Sequence, residues 1–233
     1  MIHFCTFGNI PQYSRSINEL VTEAKASNYF NTVTEYNQNN LSGIENHHEF
    51  IKSNIKGYGY WIWKSILLID MFSKTNEGDI IIYADAGCGI SIRENAKKKF
   101  KQWIDTVTNN APYRISFEMP HIEKVWTKND LFDIMDCNDD KYKNTGQRVA
   151  NIQIYKNNKD NFDFIKEYYK FCCLNNYHYV TDEPSYSLND PMFNEHRHDQ
   201  SILSLLFKKY GASVFPDHWN DYEYPIIAIR RKY

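Results

Sequence analysis

A single carboxylate stands at the end of the most apolar short run in the sequence. The stretch GDIIIYADAGCGI, Gly78–Ile90, passes through Ile80–Tyr83, stops at Asp85 and continues with Ala86 and Gly87. A carboxylate at the open end of a buried strand can hold a divalent cation or a hydroxyl group, and the small residues after it leave room for a bulky ligand. It can equally cap the next helix or form an Asx turn. The stretch alone leaves these roles open.

A second group of polar residues precedes an apolar helix. Glu195, His196, Arg197, His198 and Asp199 open the stretch EHRHDQSILSLLF, just before its apolar part. Asp199 suits the first turn of that helix, where a negative charge is favoured. The Arg and His residues need another reason, and a phosphate is one, since a helix N-terminus favours an anion.

Two isolated residues could also take part in chemistry. Lys64 lies in the aromatic segment YGYWIWKS, and His218 follows a late strand in FPDHWN. Lys64 could extend its ammonium to solvent or supply charge to a diphosphate. A lone His more often has a structural role than a metal-binding one. Both roles stay open for His218.

The elements that must position these residues are strands and helices that alternate along the chain. The pattern predicts strands over 2–7, 31–37, 79–85, 113–119, 149–157 and 212–217. It predicts helices over 14–27, 58–77, 91–107, 128–136, 162–176 and 198–211. Alternation of this kind indicates an α/β fold with a mostly parallel central sheet flanked by helices, here as a single domain over 1–233. Ligands of such sheets bind at the carboxyl ends of the strands. The long irregular stretch 177–195 is typical of a functional loop.

Composition excludes several classes of protein. The chain has 233 residues, 42% hydrophobic and 24% charged, with a net charge of -2, so we expect no nucleic-acid partner. Five cysteines without a C-x-x-C pair indicate a reducing compartment, and we expect a cytoplasmic location. The first residues do not read as a signal peptide, and no apolar run suits a spanning helix. Peripheral contact with a membrane stays open.

The motif GDIIIYADAG resembles the nucleotide-sugar-binding strand of glycosyltransferases of the A fold, a Rossmann-like fold. HDQSILSLL resembles the Asp-Gln pair that opens a late helix in glycogenin-like and galactosyltransferase-like members. YGYWIWKS followed by GDIIIYADAGC resembles uncharacterised transferases of bacterial polysaccharide clusters and large DNA viruses. NTGQRVANIQIYKNN is similar to the middle strand of that fold. The matches run from about Tyr58 to His218 in the order of the fold.

The resemblance implies a glycosyltransferase of polysaccharide biosynthesis, a hexosyl- or related transferase. It would move a sugar from a UDP- or GDP-linked donor to a glycan or other hydroxyl acceptor. Asp199 would lie at the reacting sugar, with Gln200 bonded to that sugar. The residues implied at the donor are Thr6, Phe7, Gly8, Lys64, Tyr83, Ala84, Asp85, Gly87, Arg197 and His198. Mn or Mg would be held by Asp85 and, through a looser match, His218.

One departure from the motif matters for the metal. Gly87 stands where the family has its second Asp, so one metal oxygen is missing. Either His198 or His218 supplies a replacement, or basic residues act without tight metal binding. Two alternatives remain: a catalytically silent nucleotide-sugar or carbohydrate-binding protein, and a metal-dependent phosphodiesterase using Asp85, His198, Asp199 and His218. The phosphodiesterase is disfavoured because such sites need several converging acids.

Overall fold

A seven-stranded mixed sheet forms the centre of the molecule. The structure is a computed structural model, and it describes residues 1–229. The strand order is β2-β1-β3-β7-β5-β6, with β8 also paired to β5. The strands are β1 (Ile2–Phe7), β2 (Thr32–Tyr36), β3 (Ile80–Ala84), β5 (Arg114–Ile122), β6 (Gly146–Arg148), β7 (Ile152–Lys156) and β8 (Ser213–Pro216). Strands β4 (Cys88–Ile90) and β9 (Ile226–Ala228) form a separate antiparallel pair.

Five strands of the large sheet run in one direction. Pairs β1–β2, β1–β3 and β5–β8 are parallel, whereas β7 is antiparallel to β3 and β5, and β6 to β5. The mostly parallel α/β sheet predicted from the sequence is therefore confirmed. The reversal of β7 was not predicted. It brings the N-terminal end of β7 to the edge where β1 and β3 end, and Asp85 N donates to Asn151 O there, at 2.9 Å.

Helices cover both faces of the sheet. The longer ones are α1 (Ser14–Ser27), α4 (Trp63–Lys74), α5 (Glu94–Asn109), α9 (Lys159–Tyr177) and α10 (His198–Tyr210). The shorter ones are α2 (His48–Ser53), α3 (Gly57–Tyr60), α6 (Glu123–Trp126), α7 (Asn129–Ile134) and α8 (Asp140–Lys143). Short 3-10 turns lie at Ile44–His47 and His178–Val180.

Strand β3 is buried on both faces, as its apolar run predicts. Ile81 and Tyr83 belong to the hydrophobic cluster formed with α4, α9 and α10. Ile80, Ile82 and Ala84 belong to the opposite cluster, formed with α1 and α5. Because side chains alternate along a strand, Asp85 follows the direction of Tyr83, toward the face that carries α4, α9 and α10.

The predicted helix at 58–77 begins later than expected. Five consecutive residues from Gly57 to Trp61 have positive φ values of 57°, 53°, 80°, 52° and 62°. This left-handed turn precedes α4, which starts at Trp63. Left-handed backbone is costly for residues with a Cβ, and the two glycines reduce that cost. The turn places Lys64 in the first turn of α4.

Candidate functional site

Two carboxylates from distant parts of the chain share one buried ammonium group. Lys64 Nζ lies 3.2 Å from Asp85 Oδ1 and 3.1 Å from Asp199 Oδ2. Its third contact is the carbonyl oxygen of Ala150, at 3.4 Å. An ammonium group has three N–H donors, so these contacts occupy all of them. Lys64 is 3% exposed and does not extend to solvent.

Three elements position this group. Lys64 is the second residue of α4, Asp85 follows the last residue of β3, and Asp199 is the second residue of α10. Helices α4 and α10 pack on the same face of the sheet. The structure thus brings together three residues that the sequence singled out separately.

Two tyrosines extend the group at either end. The Tyr83 hydroxyl donates to Asp85 Oδ1, and the Tyr168 hydroxyl donates to Asp199 Oδ2 at 3.1 Å. The result is a chain in the order Tyr168, Asp199, Lys64, Asp85, Tyr83, which we call the acid–lysine chain. Sequence reasoning missed Tyr168. It lies in an aromatic-rich helix, FDFIKEYYKF, whose spacing is that of any core helix.

Burial and charge shift the protonation of this chain. Burial raises the pKa of Asp199 to about 6, although the Lys64 charge opposes the shift. Burial alone would lower the pKa of Lys64, but the charges of Asp199 and Asp85 outweigh it and the pKa is raised. Burial and nearby carboxylates raise the pKa values of Tyr83 and Tyr168 well above the usual range. At neutral pH the ammonium is charged and both phenols are donors.

The two carboxylates differ in their access to solvent. The side chain of Asp85 is 32% exposed, whereas that of Asp199 is 5% exposed. Sequence reasoning put Asp199 at the reacting sugar, and in the structure its buried carboxylate contacts Lys64. Asp85 is the carboxylate that stands at the open edge of the sheet.

The end of β1 reaches the site through stacked aromatic rings. Phe7 stacks on Trp63 with 4.2 Å between ring centroids, and Trp63 lies edge-on to Tyr83 at 6.3 Å. Thr6 is buried beside Phe7, and its hydroxyl has no hydrogen-bond partner within residues 1–229. Gly8 N donates to Tyr36 O at 3.0 Å. Of the residues predicted here, Phe7 is therefore the one that the structure connects to the acid–lysine chain.

The segment after β3 forms a tight turn. Cys88 N donates to Asp85 O at 2.8 Å, which encloses Ala86 and Gly87 in the turn. Ala86 is buried against Ile17 of α1, and Ala84 lies within the strand. Ala86 therefore packs against α1, in addition to being small enough to leave room for a ligand beside Asp85.

The residues around Asp199 hold the start of α10. Gln200 accepts from Ala150 N at 3.4 Å and donates to Gln147 at 2.7 Å. The Arg197 guanidinium lies over the Trp126 ring, 3.9 Å from its centroid. The His198 ring stacks on Trp61, with Nδ1 bonded to Val180 O at 3.0 Å.

His198 also faces a charged pair on its other side. Its Nε2 lies 3.6 Å from Asp182 Oδ1, and Asp182 pairs with Lys56 at 2.8 Å. Burial and the Lys56 charge lower the pKa of His198 to about 4. His198 is therefore neutral at pH 7.

His218 lies in a different environment from the one that a metal site with Asp85 requires. Its Nε2 donates to Ile226 O at 3.0 Å, and its ring stacks on Tyr224 with 4.1 Å between centroids. Trp103 and Phe117, from the cluster of α1 and α5, enclose the ring further. Burial lowers the pKa of His218. The structure does not bring His218 into contact with Asp85.

The donor set at the acid–lysine chain does not fit a divalent cation. Within residues 1–229, no three His, Cys, Asp or Glu side chains are grouped to hold a metal ion. Asp85 and Asp199 converge, but the Lys64 ammonium stands between them, and a cation there would meet its charge. His198 is turned toward Val180 and Asp182.

No helix in the part of the chain that the structure describes is long and apolar enough to span a membrane. The five cysteines are all free.

Comparison with known proteins finds similarity in structure and not in sequence. No protein-family model matches the chain, and no curated protein matches it. A glycosyltransferase involved in glycosylation of the major capsid of PBCV-1 is similar over 97% of this chain and 92% of its own, with 13% identity and a TM-score of 0.47. The glycosyltransferase GlyE of Streptococcus pneumoniae TIGR4 matches 91% of this chain and 44% of its own, with 13% identity and a TM-score of 0.46. Mouse xyloside xylosyltransferase 1 matches 93% and 85%, with 10% identity and a TM-score of 0.46. These proteins are of the class that the sequence motifs resemble.

Proposed function

We propose that this protein is a glycosyltransferase that moves a sugar from a nucleotide-diphosphate donor to a hydroxyl acceptor at the end of β3. The observation that carries the proposal is Asp85, a part-exposed carboxylate presented at the carboxyl end of a buried parallel strand and held by Lys64. Ligands of open α/β sheets bind at this edge. The motifs that resemble A-fold glycosyltransferases lead to the same residue.

Each part of the site has a matching task in such a transfer. The half-open Asp85 can meet a sugar hydroxyl, and Phe7 with Trp63 offers aromatic surface beside it. Lys64 places a positive charge near the leaving diphosphate without contacting it, since its three donors are engaged. UDP- and GDP-linked sugars are the donors to test first, with a glycan as acceptor.

The Mn or Mg ion expected from the resemblance would offset charge on the leaving diphosphate as a Lewis acid. The donor set does not fit such an ion, so we assign it no step. We expect nucleotide-sugar turnover to persist in EDTA. Calorimetric titration of Mn and Mg, with and without UDP, checks this separately from activity. Cation binding with an affinity in the micromolar range would contradict the expectation.

The first experiment measures release of nucleoside diphosphate from a panel of UDP- and GDP-sugars. We expect one donor to be turned over, and Lys64→Met to reduce that turnover by about 100-fold or more, because a buried charge partner of both acids is lost. Lys74→Met is the matched control, since Lys74 pairs with Asp70 on the exposed side of the same helix. Failure of the wild-type protein on the whole panel would contradict transferase activity.

The absence of a second acid at Gly87 favours one other function, that of a catalytically silent nucleotide-sugar-binding protein. Such a protein would be stabilised by a nucleoside diphosphate in a thermal-shift assay and would release none from a nucleotide-sugar. Turnover therefore separates the two functions. A phosphodiesterase has less support, because the acids within residues 1–229 do not converge on a metal.

A further inference from the structure

The two acids of the site are not equivalent, and their difference assigns their functions. We propose that Asp85 is the base that takes the proton from the acceptor hydroxyl, and that Lys64, Asp199 and Tyr168 are positioning residues for it. This inference rests on the proposed transferase function. It differs from the division expected from the resemblance, in which Asp85 serves the donor and Asp199 lies at the reacting sugar.

Four contacts hold Asp85, through its Oδ1, its main-chain N–H and its main-chain carbonyl oxygen. Its Oδ1 accepts from Tyr83 and from Lys64, and its main chain bonds to Asn151 and to Cys88. No hydrogen bond within residues 1–229 engages its Oδ2. With 32% of the side chain exposed, Oδ2 is the oxygen left for a ligand at the open edge. A fixed carboxylate with one free oxygen is the arrangement that a general base requires.

Asp199 cannot serve in this way from its position. Its side chain is 5% exposed, and Oδ2 accepts from both Lys64 and Tyr168. Cys172 of α9 lies close enough for its thiol to be influenced by the Asp199 charge. Asp199 therefore acts on the reaction through Lys64, which it holds in place by charge and by a hydrogen bond.

The transfer step balances with Asp85 as the only base. The acceptor oxygen forms a bond to the anomeric carbon of the donor, and its proton passes to Asp85 Oδ2. The bond from that carbon to the diphosphate oxygen breaks, and the diphosphate leaves with the electron pair. Asp85 then returns the proton to solvent, to which it is open. The step needs only the donor and the acceptor.

Asp199 also links the site to pH. The charged and titratable groups facing it are Lys64 of α4, Asp85 and Tyr83 at β3, and Tyr168 and Cys172 of α9. Protonation of Asp199 removes one of the two negative charges that lie beside the Lys64 ammonium. Lys64 then pairs with Asp85 alone, and its positive charge is no longer shared between two carboxylates. Activity should therefore fall as the pH drops through about 6, the pKa of Asp199.

The test compares kcat and donor KM across pH 5 to 9 for the wild type and four variants, using the donor found in the panel. Asp85→Asn should lower kcat by about 1,000-fold with little change in KM, within the range for loss of a general base. Asp199→Asn should lower kcat by a smaller factor, about 10-fold to 100-fold. It should also lose the acid limb of the pH profile, which is the fall in kcat near pH 6. Tyr168→Phe should move that limb to higher pH, because the ionised Asp199 loses a donor. Tyr169→Phe, which loses a bond to His47 instead, is the matched control.

The outcomes separate the inference from the function on which it rests. A wild-type protein without turnover on any donor overturns both. A wild-type protein with turnover overturns the inference alone if Asp85→Asn keeps its kcat, or if Asp199→Asn is the more damaging change. Should Asp199→Asn fail to fold, the acid limb of the wild type and its shift in Tyr168→Phe decide the question.

Discussion

Neighbouring residues at the start of α10 respond to acid in opposite directions. The pKa of His198 falls from 6.5 to about 4 on folding, so the folded protein binds this proton less readily than the unfolded chain. The pKa of Asp199 rises from 3.8 to about 6, so the folded protein binds that proton more readily. His198 therefore costs stability as the pH falls from 6.5 to 4, and Asp199 adds stability as it falls from 6 to 4.

This opposition predicts opposite pH trends for two variants. Relative to wild type, His198→Gln should gain stability between pH 7 and pH 4.5, and Asp199→Asn should lose it. Each change is on the order of 3 kcal/mol at most, from the size of the shifts. Urea unfolding at the two pH values measures the differences. Parallel trends in both variants would show that other groups dominate.

The sequence allowed the candidate site residues to be predicted individually, but not the contacts between them. Asp85, Lys64 and Asp199 each stood out by residue type and position. Their contact depends on α4 and α10 packing on one face of the sheet, and no local pattern encodes that. Tyr168 was hidden because a core tyrosine and a functional one have the same helical spacing. His218 illustrates the converse, since a His after a strand looks the same whether it packs on aromatic rings or binds a metal.

Among the elements, the left-handed turn from Gly57 to Trp61 makes the sharpest demand on residue type. A Cβ on Gly57 would lie 2.4 Å from the Trp61 ring, and one on Gly59 would lie 2.7 Å from Ile51. Helical spacing of the aromatic residues concealed this turn in the sequence. The two glycines, separated by one residue, were the available indication that a regular helix could not start there.

Alanine substitutions should separate strain from steric clash. Gly78 also has positive φ, 89°, but a Cβ there meets nothing within 4 Å. Gly78→Ala should cost about 1 kcal/mol of unfolding free energy from backbone strain alone. Gly57→Ala should cost more, about 2–4 kcal/mol, because the rigid Trp61 ring must also move. Urea denaturation of both variants gives the comparison, and equal losses would contradict the clash.

In the sheet, the burial of β3 could be predicted from the sequence, whereas the direction of β7 could not. The apolar run of β3 predicted a strand buried on both faces, and the structure confirms it. The pattern of β7 gave its existence but not its direction, because alternation of side chains is the same in either direction. That direction brings Ala150 O to Lys64 and Asn151 O to Asp85.

At the scale of the molecule, two of the contacts between the irregular segment 181–197 and the body differ in their burial. His178 lies just before it, with Nε2 2.5 Å from Asp130 Oδ2 and Nδ1 2.9 Å from Glu183 Oε2. Tyr186 stacks on the His178 ring with 3.8 Å between centroids. The second contact is the exposed pair of Lys56 and Asp182. Buried and exposed pairs differ in their contribution to stability.

The two contacts predict different losses of unfolding free energy when each is removed. His178→Phe keeps a ring against Tyr186 but removes the imidazole bonded to the buried Asp130, whose Oδ2 then keeps only the Tyr186 N–H. It should cost about 3 kcal/mol and speed protease cleavage within 183–195. Lys56→Met should cost less than about 1 kcal/mol, since its pair is half exposed. Urea unfolding and mapped limited proteolysis measure both effects. If the two variants were equally stable, the buried contact of His178 would not hold the segment more strongly than the exposed pair of Lys56 and Asp182.

The acid–lysine chain also limits how this sequence can drift over evolutionary time. Lys64 has no spare donor, and its charge is balanced by two acids that lie 114 positions apart in the chain, at 85 and 199. Loss of the lysine leaves both acids without their counter-charge, and Asp199 is the one that lies in a dry interior. Descendants that lose the lysine should therefore also replace Asp199 by a neutral residue, so that the two positions change as a pair.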